Sequence, residues 1–248
     1  PGVHPPGPGG GSTAFDAARV AIRKGATEVH IFYRRTMEDM PADESEIKEA
    51  VEEGVIIHEL VRPLEFIGDD HVKQVKFMRM ELSGFDSDGR KKPVDIAGSE
   101  FLFDVDLVIP AVSQYSDLPF VRRDEVEATP MGTFKVDPDT RMTSMKGVFS
   151  GGDVVRGSDV VITAIADGKK AASEIDKYLG GTGELNKGEA IDIPMPADDA
   201  EVTEHDRFKM DYLEPEERTD NFDEVCLGFH RLNAIAESMR CLRCDRRL

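Results

Sequence analysis

The fold is decided by the stretch Gly9-Gly10-Gly11-Ser12-Thr13-Ala14-Phe15-Asp16-Ala17-Ala18-Arg19. It fits the pattern G-x-G-x-x-G/A, in which the first glycine allows a tight turn and the second lets the backbone approach a pyrophosphate. Ser12 or Thr13 can cap a helix and Gly25 stands where a helix ends, so a helix is predicted over residues 13–24. A flexible glycine linker that happens to precede a helix is the alternative that this loop alone leaves open.

The residues that follow the loop predict an α/β fold. Residues 28–33 alternate like a strand, Pro41 and Asp43 open a second helix, and residues 55–61 form a second strand. This order of helix, strand, helix and strand is typical of a Rossmann-like parallel sheet with crossover helices. From residue 65 to 104 short alternating segments surround a turn at 86–89, which predicts an antiparallel β-hairpin layer. The apolar residues 105–109 predict a buried strand.

A pair of arginines ends the first predicted strand, about 24 residues after Gly9, where dinucleotide-binding folds recognise the ribose. The local sequence is Tyr33-Arg34-Arg35. An acidic residue at this point selects NAD, whereas arginine suits the 2′-phosphate of NADP because a guanidinium is a permanently charged, bidentate donor. A solvated basic turn is the alternative. The predicted NAD(P)-binding residues, with NADPH preferred, are Gly9, Gly10, Gly11, Ser12, Thr13, Ala14, Tyr33, Arg34 and Arg35.

The later part of the chain shows a second glycine turn and a polar tail. A short strand is predicted over residues 147–150, followed by Gly151-Gly152-Asp153 and a helix over 159–179 with one apolar face. Prolines and acidic residues over 181–220 predict an extended acidic linker. A last helix over 232–240 precedes the pair Cys241 and Cys244.

Composition excludes several classes of protein. Of 248 residues, 49 are acidic and 31 basic, and the formal net charge of −18 repels nucleic-acid backbones. No apolar run is long enough to cross a membrane, so membrane insertion is not expected. Three cysteines do not make a secreted disulfide framework, which favours a reducing cytoplasm.

Two stretches carry a family resemblance: the glycine loop with Tyr33-Arg34-Arg35, and Gly147-Val148-Phe149-Ser150-Gly151-Gly152-Asp153 with the helix that follows. They resemble the small subunit of bacterial glutamate synthase and the wider group of FAD-dependent pyridine-nucleotide oxidoreductases. The resemblance implies an oxidoreductase that passes hydride from NAD(P)H to FAD. It also implies FAD contacts at Gly152 and Asp153, and at the helix start formed by Val161, Ile162, Thr163 and Ala164, whose dipole would face the flavin ring or phosphates.

The resemblance also implies a domain organisation. Residues 1–8 would be an extraneous or disordered Pro/Gly segment, 9–112 the NAD(P)H-binding domain, and 113–180 the C-terminal part of an FAD-binding domain. The acidic linker over 181–220 would lead to a helix with the terminal cysteine pair over 221–248. Because nothing matches the other half of the FAD domain, the chain is expected to be a fragment of a longer flavoenzyme.

The cysteine pair leaves three readings open: ligands of an iron–sulfur cluster completed by residues outside this chain, two inert thiols, or a redox pair. The expected partners are the remaining half of the FAD domain or a larger oxidoreductase subunit, and an iron–sulfur protein or domain. A homo-oligomer is left open. The alternative function is a cofactor-free scaffold or electron-transfer subunit that keeps the fold.

Overall fold

The computed structural model describes residues 9–86, 89–112, 121, 125–185 and 206–240. These residues divide into two compact units. The first contains the described residues up to 112 together with those from 206 onward, and the second contains the described residues from 121 to 185.

The first unit begins with a parallel α/β layer whose elements are α1 (Ser12–Arg23), β1 (His30–Phe32), α2 (Glu44–Glu52) and β2 (Ile56–His58). The strands β1 and β2 pair in parallel, with His30 opposite Ile56. Helix α2 starts where the sequence predicts, because the carboxylate of Asp43 accepts a hydrogen bond from the backbone N–H of Ser45 at 2.8 Å. Apolar residues of these elements and their connections form one core: Phe15, Ala18, Ile31, Tyr33, Met40, Ala42, Ile47, Ala50 and Val55. The predicted α/β fold with its parallel sheet is confirmed.

A second, antiparallel layer completes this part of the unit. Its strands are β3 (Val61–Gly68), β4 (Val72–Phe85), β5 (Lys91–Asp95) and β6 (Phe101–Asp104), and β4 pairs with the other three. Phe32 of β1 stacks on Phe77 of β4 with ring centroids 4.1 Å apart, so the two layers share apolar side chains. The predicted hairpin layer is confirmed.

The predicted buried strand over residues 105–109 is wrong. The N–H of Val105 bonds to the carbonyl of Lys73 and extends the pairing of β6 by one bond. Beyond it Leu107 is 71% exposed and Ile109 52% exposed, whereas Val105 and Val108 are only partly buried against the core of the antiparallel layer, so the segment is covered on one side at most. An apolar run indicates burial only when another layer lies over it.

The second unit contains α3 (Asp153–Arg156) and α4 (Val161–Tyr178). The predicted long helix is confirmed, but its apolar face is largely exposed, with Ile162 at 69%, and only Asp167 in it is buried. The strand predicted over 147–150 is reduced to a single bridge between Phe149 and Met142.

The C-terminal part of the first unit contains β7 (Asp211–Tyr212), α5 (Pro215–Arg218), β8 (Cys226–Gly228) and α6 (Arg231–Met239). Strands β7 and β8 pair antiparallel, and α6 confirms the predicted last helix. The expected extended linker is wrong for the part that holds α5, because Arg218 is buried beside the acidic residues Glu52 and Glu53. Among the helices that the structure describes, none combines the length and the apolar character needed to cross a membrane.

Candidate functional site

The glycine loop is packed so closely that two of its glycines have no room for a side chain. A Cβ on Gly9 would lie 1.5 Å from the carbonyl oxygen of Ala111, and one on Gly10 would lie 2.7 Å from the ring of Tyr33. Gly11 differs, since the nearest atom to its Cβ position is Cγ of Pro41 at 3.8 Å. The open space beside Gly11 is where a ligand can approach the backbone.

The loop leads into the N-terminus of α1, which carries no competing negative charge. Gly11 is its N-cap, no side chain caps the helix, and its first turn contains no acidic residue. Ser12 and Thr13 are exposed there, whereas Ala14 is buried. The unpaired N–H groups and positive end of the helix dipole therefore favour an anion.

Tyr33 supports the loop from below. Its side chain is buried, and its hydroxyl donates a hydrogen bond to the carbonyl of Asp39 at 2.9 Å. Since Gly10 lies directly on its ring, Tyr33 acts as the platform for the loop.

The two arginines predicted to bind phosphate have different environments. Arg35 is buried, its guanidinium pairs with Asp86 at 2.5 Å and its Nε donates to the carbonyl of Lys91 at 3.1 Å. Arg35 therefore fastens the hairpin turn to the end of β1, and the phosphate prediction at this site rests on Arg34. Arg34 is half-buried, and no described residue forms a hydrogen bond or ion pair with its guanidinium.

The electrostatics at Arg34 favour an anion. Partial burial, and after it the positive charge of Arg35, lowers the pKa of Arg34 from its ordinary value. A bound phosphate would offset both effects, because it supplies a compensating negative charge and hydrogen-bond acceptors.

In the second unit the predicted turn has the geometry that its glycines require. Gly152 is buried and has φ of +66°, a conformation that residues with side chains rarely adopt. Asp153 follows at the first position of α3, exposed to solvent, and no described residue donates to its carboxylate.

The charge and the exposed side chains at the start of α4 favour the flavin ring over the phosphates, the two groups of FAD expected there. The carboxylate of Asp159 accepts hydrogen bonds from the N–H of Val160 at 2.8 Å and from the hydroxyl of Thr163 at 3.0 Å. This negative charge opposes a phosphate at the same helix end, whereas the exposed side chains of Val161 and Ile162 offer apolar surface for a flat ring. Ala164 packs against the turn, since a Cβ on Gly152 would lie 3.4 Å from its methyl group.

The predicted metal ligands Cys241 and Cys244 lie outside the described residues. Cys226 lies in β8 with its sulfur 3.7 Å from that of Met210. Within the described ranges, no three metal-ligating side chains form a group able to hold an ion.

Sequence reasoning missed the two acidic residues that organise these turns, Asp86 and Asp167. Asp167 is 1% exposed and binds the Gly152 turn. A signal was present, because Asp167 follows Ala164 by three residues and precedes Ala171 by four, so it shares their face of α4. A carboxylate among small residues on an inward helix face is a candidate for a buried, paired charge.

Comparison with known proteins identifies the family of the chain. Residues 8–168 match the family described as pyridine nucleotide-disulphide oxidoreductase. The chain belongs to this family. The resemblance drawn from the glycine motifs is thereby confirmed.

Relatives within the family show how much of a longer protein the chain matches. It is 40% identical over 248 residues to the beta subunit of an NADP(+)-dependent formate dehydrogenase from Moorella thermoacetica, covering 96% of this chain and 35% of that protein. It is 45% identical over 172 residues to the small chain of glutamate synthase [NADPH] from Azospirillum brasilense, covering 68% of this chain and 36% of that protein. The chain thus spans little more than a third of the length of these relatives.

A solved structure agrees on the fold. Thioredoxin reductase of T. acidophilum superposes with a TM-score of 0.54 at 24% identity, over 69% of this chain and 51% of that one. This similarity supports the α/β architecture.

Proposed function

We propose that the chain belongs to a flavin oxidoreductase, in which its first unit binds NADPH and its second unit contacts FAD. The observation that carries the proposal is a pair of positions. The N-terminus of α1 has no capping side chain and follows Gly11, whose Cβ position is open, and Arg34 follows the carboxyl end of strand β1. Ligands of open α/β sheets bind outside the carboxyl ends of the strands, and the dinucleotide fingerprint uses these same two positions.

In the first unit the pyrophosphate of NADPH would lie against Gly11 and the N–H groups of Ser12 and Thr13. Arg34 would take the 2′-phosphate, which distinguishes NADPH from NADH. The open Cβ position of Gly11 supports the first contact. The half-buried guanidinium of Arg34, whose pKa is lowered by burial and by the neighbouring charge of Arg35, supports the second.

In the second unit Asp153 would accept hydrogen bonds from hydroxyl groups of the flavin's ribityl chain, since its carboxylate is exposed. The start of α4 would lie against the flavin ring, with Val161 and Ile162 giving apolar contact. Hydride transfer from nicotinamide to flavin is the chemistry that the two cofactors supply when bound. The residues of this chain bind and orient the cofactors, so no general base is required.

The electrons would leave toward an iron–sulfur protein or domain, or toward a large subunit like that of glutamate synthase. The names of the relatives support a larger partner, since they are a formate dehydrogenase beta subunit and a glutamate synthase small chain. Cys241 and Cys244 would contribute to a cluster whose other ligands come from a partner.

The test is a cofactor titration of the purified full chain. FAD binding is followed by quenching of flavin fluorescence, and NADPH and NADH binding by calorimetry. We expect FAD uptake, and tighter binding of NADPH than of NADH. Arg34→Ala should weaken NADPH by about tenfold or more and leave NADH nearly unchanged, because a charged phosphate contact is worth roughly 1.5–3 kcal/mol.

Arg62→Ala provides the matched control, since Arg62 pairs with Asp95 on the antiparallel layer and its loss should leave both affinities unchanged. A chain that takes up neither FAD nor NADPH would contradict the proposal and favour the cofactor-free scaffold. If Arg34→Ala weakened the binding of NADPH and of NADH equally, Arg34 would not be the residue that binds the 2′-phosphate.

A further inference from the structure

One carboxylate in the second unit is fully enclosed and surrounded by donors. Asp167 of α4 is 1% exposed. Its Oδ2 accepts a hydrogen bond from the backbone N–H of Gly152 at 3.0 Å and another from Nε of Arg156 at 2.7 Å. Its Oδ1 lies 2.9 Å from Nη2 of Arg156 and 2.7 Å from Nη2 of Arg141. Each oxygen of Asp167 is therefore engaged twice.

These contacts keep Asp167 ionised. The hydrogen bonds from Arg156 are the largest influence, and they outweigh burial, so the pKa of Asp167 lies well below its usual range. A buried carboxylate that stays charged at every working pH is a permanent attachment point for the backbone that donates to it.

The attached backbone is the glycine turn. A Cβ on Gly151 would lie 2.6 Å from Cβ of Asp167, so the turn touches the helix at this point. The N–H of Gly152 is fixed by the carboxylate, and Arg156 reaches the same carboxylate from the last residue of α3. Asp167 thus holds both ends of the segment that carries Asp153.

We propose that Asp167 is a positioning residue for FAD: it holds the turn of residues 151–156 against α4 so that Asp153 and the start of α4 contact the flavin together. The inference rests on the proposed function, since it concerns the same FAD contacts. Asp167 itself touches no cofactor, because its oxygens are occupied by Gly152, Arg156 and Arg141.

The test compares two aspartates of the same helix in the full chain. Asp167→Asn keeps the size of the side chain but removes its charge and one acceptor oxygen. Asp176→Asn is the matched control, since Asp176 also lies in α4 and accepts a backbone N–H, that of Gly183 at 2.8 Å. The measurements are the dissociation constant of FAD, the dissociation constant of NADPH, and amide hydrogen exchange over residues 151–157.

We expect Asp167→Asn to weaken FAD by about tenfold or more, because hydrogen bonds to charged groups contribute roughly 1.5–3 kcal/mol. Exchange at the Gly152 amide should become faster while the affinity for NADPH stays unchanged. Asp176→Asn should leave all three measurements at the wild-type values. A general loss of stability would instead speed amide exchange throughout the second unit, including the rest of α4, and not at residues 151–157 alone.

A wild-type affinity for FAD in Asp167→Asn would overturn the inference and leave the proposed function standing. Absence of FAD binding by the wild-type chain would overturn the inference together with the FAD contacts of the proposed function, and would leave NADPH binding by the first unit to be judged by its own titration. If Asp167→Asn does not fold, Arg156→Gln decides in its place, because Arg156 is partly exposed and its loss leaves Asp167 paired with Arg141. Weaker FAD binding in Arg156→Gln, partly restored in Arg156→Lys, would then support the inference, and unchanged binding would overturn it.

Discussion

Replacing Glu53 by glutamine should lower the free energy of unfolding of the first unit by about 3–5 kcal/mol, the cost of leaving a buried charge without its partner. The side chain of Glu53 is 0% exposed and contacts three guanidiniums. Arg19 lies 2.6 Å from it, Arg23 2.8 Å and Arg218 3.1 Å. Glutamine is nearly the same size, but it is uncharged and presents an amide donor where the cluster needs an acceptor.

The structure places the expected loss toward the lower end of that range. Arg19 keeps a second carboxylate, Glu49 at 2.9 Å, and Arg218 keeps Glu52 at 2.9 Å. Arg23 has no second carboxylate among the described residues, and its side chain is 7% exposed. One strongly enclosed guanidinium is therefore left uncompensated, which gives about 3 kcal/mol.

Urea unfolding followed by far-UV circular dichroism measures the effect. The control is Glu49→Gln, because among the described residues Glu49 pairs with Arg19 alone and its side chain is 18% exposed, so a loss of about 1 kcal/mol or less is expected. The reasoning is refuted if Glu53→Gln costs less than about 1 kcal/mol, or no more than the control. Limited proteolysis should also show earlier cleavage in residues 206–240 of Glu53→Gln, because Arg218 belongs to that segment.

Three further predictions follow from the site. Gly11→Ala should keep the melting temperature but weaken the binding of NADPH, because its Cβ enters the open space where the ligand would lie. Gly10→Ala should lower the melting temperature, because its Cβ clashes with the ring of Tyr33. Equal thermal shifts of the two variants in scanning fluorimetry would contradict this. Arg35→Ala should lower the melting temperature, since Arg35 is buried and paired with Asp86. A loss of NADPH affinity in calorimetry without a lower melting temperature would instead show that Arg35 contacts the phosphate directly. Burial, then the charges of His30 and Arg79, lowers the pKa of His58. The unfolded chain therefore binds the extra proton first, and stability should fall as pH drops from about 7 to about 5; urea unfolding of His58→Phe should show a weaker dependence, and an unchanged slope would exclude His58 as its source.

The elements around the glycine loop could be predicted from sequence because their signals are local. A glycine loop before an alanine-rich helix, an alternating strand and an aspartate cap each act within a few residues, and the structure forms α1, β1 and α2 where they indicate. The relation between the loop and Arg34 also follows from chain spacing, since a crossover helix has a nearly fixed length.

What sequence could not show depends on contacts between distant residues. The pairing that buries Arg35 joins residues 51 positions apart, so Arg34 and Arg35 looked equivalent. The burial of Arg218 depends on acidic residues 166 positions away, and composition alone therefore indicated an extended linker. The prediction of a buried strand over residues 105–109 was wrong for a related reason, because hydrophobicity alone does not show whether another layer covers both sides of a segment.

The attachment of Arg218 has a consequence for the order in which this protein acquires its structure during translation. Helices α1 and α2 are synthesised before the second unit, so Glu53 can pair with Arg19 and Arg23 before that unit exists. The third guanidinium arrives only after the whole second unit has been synthesised. The first unit thus starts folding before the second unit and is completed after it, so a nascent chain halted before α5 holds the glycine loop on a core that still lacks the ion pair of Arg218.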